Sequence, residues 1–136
     1  MQTSKVQWIG EQRFVAVSPS GHALALDSES HTAPTPMELL LMALGACTAT
    51  DVVIILEKKR QKLESLEVIC SGHRASEPPR IWTKFDILFR LRSRLEVAGV
   101  QQAIKLSEEK YCSVSATLKK TAELNWRYEI LPPQMG

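Results

Sequence analysis

The chain has 136 residues, enough for one compact domain spanning 1–136 and too few for two comfortable ones. With 44% hydrophobic and 24% charged residues it has the balance of a soluble protein with a real core, and a net charge of +2 is too mild to imply nucleic acid. Only 6% of residues are aromatic and no basic run interleaves with them, so base stacking has no support.

The N-terminal MQTSKVQWIGEQ lacks the charged-then-apolar layout of a secretory signal, so a cytoplasmic location is expected. Residues 5–9 (KVQWI) and 13–18 (RFVAVS) alternate like half-buried strands, joined by Gly10-Glu11-Gln12 as a short hairpin loop. Pro19-Ser20-Gly21 marks a second turn and residues 22–26 a third strand, giving a small antiparallel meander. The loop DSESHTAPTP then leads to a helix. Thr35 suits its N-cap, Pro36 its first position and Glu38 the N3 place of a capping box.

The helix is expected over 36–60, ending in the basic cluster Lys58, Lys59, Arg60 and Lys62, which suits the negative end of the helix dipole. Its run LLLMALGACTATDVVIIL is apolar on nearly every side, which reads as a buried helix. The length approaches that of a membrane span, but Thr48, Thr50 and Asp51 interrupt its middle, so no membrane association is expected. Residues 66–70 and 81–91 read as strands, with 71–80 as the turn region. In the second strand Phe85, Ile87, Phe89 and Leu91 alternate with Lys84, Asp86, Arg90 and Arg92. A second helix is predicted over 97–111, a short helical or irregular segment over 112–118, and a last strand over 121–130 before Pro132-Pro133.

Three cysteines, Cys47, Cys70 and Cys112, do not make a secreted disulfide framework. Their spacing is unlike C-x-x-C, and His22, His31 and His73 form no ligand pattern with them, so no metal and no cofactor is expected. Cys70, at a strand end, reads as packing. Cys47 reads either as inert packing or as a sheltered reactive thiol. Gly45-Ala46 is small enough to admit another segment, and Asp51 lies about one turn along the same face.

The segments TPMELLLMALGACTATDVV and LSEEKYCSVSATL resemble the two signature stretches of the OsmC/Ohr family of thiol-dependent peroxidases, and the order of elements over nearly the whole chain is similar. The resemblance implies an α+β fold, with antiparallel sheets wrapped around a long buried central helix, in an intertwined homodimer. It implies Cys47 as the peroxidatic thiol, Cys112 as the resolving thiol, an organic hydroperoxide as substrate and a dithiol as reductant. The family adds an arginine from the N-terminal part, for which Arg13 is the sole candidate, and a glutamate that holds it. The glutamate position falls on Met37 here, with Glu38 one residue later and roughly half a circle from Cys47. Glu38, Asp51 or neither is left to orient Arg13. The rival reading on the same fold is a non-catalytic dimer that binds an apolar small molecule in its interface cavity.

Overall fold

The computed structural model describes residues 1–134, and contacts divide the chain into two compact units, Met1–Leu40 and Leu41–Gly136. In the first, β1 (Lys5–Gly10), β2 (Arg13–Val17) and β3 (Ala23–Asp27) form the antiparallel meander, with β2 in the centre. The β1–β2 turn needs backbone that L-residues rarely adopt: Gly10 has φ +117° and Glu11 φ 52°. Asp27, 3% exposed, organises the loop after β3. Its carboxylate accepts from Glu29 N at 2.9 Å, Thr32 N at 3.0 Å and Thr32 Oγ1 at 2.9 Å.

The long helix α1 (Pro36–Lys58) begins with the capping box that the sequence suggests. Glu38 N donates to Thr35 Oγ1 at 3.1 Å and Thr35 N donates to Glu38 Oε1 at 2.9 Å, so two orphan amides are satisfied reciprocally. Buried residues recur every fourth position, Leu44, Thr48, Val52 and Leu56, along one face.

In the second unit, β4 (Ser65–Arg74), β5 (Trp82–Arg92) and β6 (Glu123–Leu131) make a sheet with β5 in the centre. The alternation of β5 is realised: Phe85, Ile87, Phe89 and Leu91 are buried on one face. They pack with Leu44, Val52 and Leu56 of α1 and with Val100, Ala103 and Ile104 of α2 (Val97–Leu106) in one core. Each such side chain contributes about 1.5–3 kcal/mol of burial. One face of α1 is thus part of this core, and α1 is also long and apolar enough to cross a membrane by length and composition alone.

Three expectations are corrected. The sheets are not wholly antiparallel: β6 runs parallel to β5, in register from Lys84↔Glu123 to Arg92↔Leu131. A parallel pair needs a long crossover, and residues 93–122 supply one. Nor is α1 buried on every side in the single chain: Met42 is 55% and Ile54 43% exposed. The chain is too short to cover more than part of so apolar a helix. Strand β4 also continues through residues 71–74, where turn signals suggested a loop. Gly72 is there because Trp82 crosses it; a Cβ at Gly72 would lie 2.7 Å from that ring.

Candidate active site

Cys47 and Asp51 stand one turn apart on α1, on the face next to the sealed one, and both are half-buried. The third member comes from the crossover. After α2 the chain makes a π-turn, Ser107–Tyr111, closed by Cys112 N donating to Ser107 O at 2.8 Å. Inserting such a wider turn re-aims the residues beyond it. Cys112 then becomes the N-cap of α3 (Ser113–Leu118), its Sγ accepting from Ser115 N at 3.3 Å. Sulfur replaces the usual oxygen in that role.

These elements bring Cys47 Sγ, Cys112 Sγ and a carboxylate oxygen of Asp51 within 4.8 Å of one another. Ser107 Oγ donates to Asp51 Oδ2 at 2.8 Å, which fixes the carboxylate. Cys112 is only 3% exposed, and burial is the largest influence raising its thiol pKa. A hydrogen bond to Cys47 and the charge of Cys47 push the same way, while the Ser115 hydroxyl and backbone N–H oppose them. The net direction favours the protonated form of Cys112.

Cys70 is close by but differently placed. It lies on β4 against Gly45, where an added Cβ would stand 3.3 Å from its sulfur. The small residues before Cys47 therefore do admit another segment, but the sulfur they admit is that of Cys70. Burial, with the charge of Cys112 adding to it, pushes the Cys70 thiol up to about 11. Such a thiol is a poor nucleophile near neutrality, in keeping with packing.

The other expected residues stand as follows. Arg13 opens β2, with one guanidinium nitrogen 3.9 Å from Glu11 Oε1 and its buried Nε without a hydrogen-bond partner among the described residues. Glu38 is exposed and occupied by the capping box, and the helix is regular from Pro36, so no local irregularity turns it toward Cys47. Asp51, which the sequence offers without a role, is the carboxylate that meets both thiols. Ser107 and Ser115 went unnoticed in the sequence because only the crossover brings them here; the periodicity of polar residues around Cys112 carries no such signal. A cleft of about 490 Å³ continues from Asp51 along α1, lined by Ile54, Ile55, Lys58, Lys59 and Leu106. It is a largely apolar cleft that reaches the site at Asp51 and carries two lysines.

The family model described as OsmC-like protein matches residues 28–127. Protein YhfA of Escherichia coli (strain K12) is 41% identical over 130 residues, covering 94% of this chain and 97% of that one. A hypothetical protein from Aquifex aeolicus VF5 has a crystal structure similar over 98% of each chain, with a TM-score of 0.90 at 30% identity. The organic hydroperoxide resistance protein OhrB of Bacillus subtilis shares the fold alone, with a TM-score of 0.65 and 12% identity over 95% of this chain and 98% of that one. Both sulfurs and the elements that carry them thus lie within the matched region, and the chain belongs to the OsmC-like protein family.

Proposed function

We propose that the protein is a thiol-dependent peroxidase that reduces organic hydroperoxides in stress defence. The observation that carries this reading is the approach of Cys47 Sγ and Cys112 Sγ to within 4.8 Å, from elements 65 residues apart in sequence. The Cys47 thiolate attacks the terminal oxygen of ROOH; an S–O bond forms, the O–O bond breaks, and the alkoxide leaves as ROH after taking a proton. Cys112 then attacks the sulfenic sulfur, forming an S–S bond and releasing water. A dithiol reductant restores both thiols, and the reducing cytoplasm is the compartment such a cycle needs.

The raised thiol of Cys112 supports the division of labour, since a resolving thiol should not compete for the peroxide. The apolar cleft beyond Asp51 suits an alkyl substrate. Arg13 is the cation assigned to steady the thiolate, and Glu38 keeps to its capping role. A second copy of this chain is the proposed partner, in an intertwined homodimer. Val6 and Trp8 of β1 are 62% and 65% exposed, and α1 exposes Met42 and Ile54, more apolar surface than a monomer ordinarily leaves in water. Sedimentation should give a dimer at micromolar concentration; a monomer throughout overturns the assembly.

The decisive experiment treats reduced protein with stoichiometric cumene hydroperoxide, counts free thiols and maps disulfides by mass spectrometry. Two thiols should be lost to a Cys47–Cys112 bond. A Cys47 that stays reduced at millimolar peroxide ends the reading. In that case the apolar groove of about 420 Å³ between α1 and β4, lined by Leu41, Met42 and Val68 among others, favours the binding of an apolar small molecule instead.

A further inference from the structure

We propose that Cys47, Cys112 and Asp51 form a binding site for one zinc-class divalent cation, with two thiolates and one carboxylate as ligands and solvent as the fourth. The geometry is the first argument. Tetrahedral zinc with Zn–S near 2.3 Å and Zn–O near 2.1 Å needs sulfurs about 3.8 Å apart and each sulfur about 3.6 Å from the oxygen. The three donor atoms already lie within 4.8 Å of one another, so side-chain rotation of less than a bond length closes the set.

The surroundings of the donors are the second argument. Ser107 Oγ holds Asp51 Oδ2 at 2.8 Å, the kind of fixing that outer-shell hydrogen bonds give to ligating carboxylates. Cys112 Sγ receives the Ser115 amide at 3.3 Å. The Ser115 hydroxyl is fully buried beside that sulfur, near enough to favour its thiolate but outside hydrogen-bonding geometry with any described residue. A buried orphan donor is costly unless some state of the protein uses it. The peroxide cycle leaves Cys112 at rest as a thiol or a disulfide, whose neutral sulfur is a weaker acceptor than a charged thiolate. A metal-bound thiolate accepts two.

Charge and softness select the ion. Two thiolates and a carboxylate on a divalent cation leave one net negative charge, which Lys58 and Lys59 offset from the adjoining cleft. Thiolates favour zinc and copper(I), and the carboxylate disfavours copper(I). The histidines play no part, which is why ligand spacing in the sequence concealed the site. No oxidant or reductant is involved: both sulfurs bind as thiolates, any thiol proton passing to solvent, and the cation then screens them from peroxide. The inference rests on the donor geometry and stands whether or not the thiols reduce peroxides.

The test uses fully reduced, full-length protein without oxygen and cobalt(II) as the spectroscopic probe. One cobalt per chain should bind with intense tetrahedral bands and thiolate-to-cobalt charge transfer, and zinc should displace it. Asp51→Ala should weaken zinc binding by at least about 100-fold in competition with a chromophoric chelator, more than loss of an outer-shell partner costs. The same variant should still form the Cys47–Cys112 disulfide with diamide, which shows that it folds. Cys70→Ser should bind as the wild type does. In the wild type itself, one equivalent of zinc should slow alkylation of Cys47 at least about tenfold. Absence of the charge-transfer band, unchanged affinity in Asp51→Ala, dependence on Cys70, or unslowed alkylation each overturns the site.

Discussion

Two adjacent faces of α1 treat polar groups in opposite ways. On the sealed face, Leu44, Val52 and Leu56 are fully buried, and Thr48 between them returns its hydroxyl to its own helix, to Leu44 O at 3.0 Å and Gly45 O at 3.1 Å. That group is neutralised locally and has no chemistry left. On the next face, Asp51 sends its carboxylate out of the helix to Ser107, and Cys47 sends its sulfur toward Cys112. A turn of about 100° per residue separates a residue sealed in packing from one that meets a second thiol. Residue type alone does not make that distinction.

The contrast is broken most sharply by substitutions that hit one face and spare the other. Cys47→Ser should lower peroxide consumption by more than about a thousandfold, as expected for loss of the nucleophile, with the thermal unfolding midpoint preserved. A large fall in the midpoint would mean that Cys47 belongs to the packing face after all. Leu56→Ala is the mirror experiment. Urea unfolding should show a loss of about 2–5 kcal/mol, while the protein that remains folded still forms the Cys47–Cys112 disulfide. Disulfide formation that fails at full folded population would show that the two faces are coupled.

A smaller effect is expected at the start of the helix. Thr35→Ala should cost about 0.5–2 kcal/mol through the capping box, with peroxide turnover unchanged. Glu38→Ala is expected to behave in the same way; a fall in turnover without a fall in stability would give Glu38 a place in the chemistry. The smallest effect is alkaline. The folded Cys70 thiol is raised from 9.0 to about 11, so between those values the native chain keeps a proton that the unfolded chain has lost. Its contribution to stability is fully present below about pH 9 and declines as the pH climbs through that window. Cys70→Ala should flatten the decline in urea midpoints measured between about pH 8 and about pH 11, and an unaltered slope would remove Cys70 as its source.

These residues also show what a sequence can disclose. Elements whose logic is local were legible: the Thr35-Pro36-Glu38 entry, the period-two pattern of Phe85 to Leu91, and the hairpin at Gly10-Glu11-Gln12. Ser71-Gly72 misled because glycine usually marks a turn, and here it marks the crossing of Trp82 instead. The parallel pairing of β6, the π-turn before Cys112 and the meeting of Asp51 with two thiols all depend on where a 30-residue crossover returns. No pattern within any one segment encodes that. Cys47 and Cys112 were found through resemblance, whereas Asp51 was visible only as a carboxylate at a suitable angle.

The parallel strand has a consequence for how the protein comes into being. During synthesis β4 and β5 can pair as soon as they emerge, since their contacts are local, whereas β6 is made last and must close a long loop to reach β5. Cys112 rides on that loop. If Cys47 is the peroxidatic thiol proposed above, a nascent chain exposes it before Cys112 has arrived, and an oxidant met then would carry the sulfur toward irreversible acids. In the proposed cycle the disulfide would in this sense certify completed folding, since Cys112 resolves an oxidised Cys47 only once the crossover that carries it has docked.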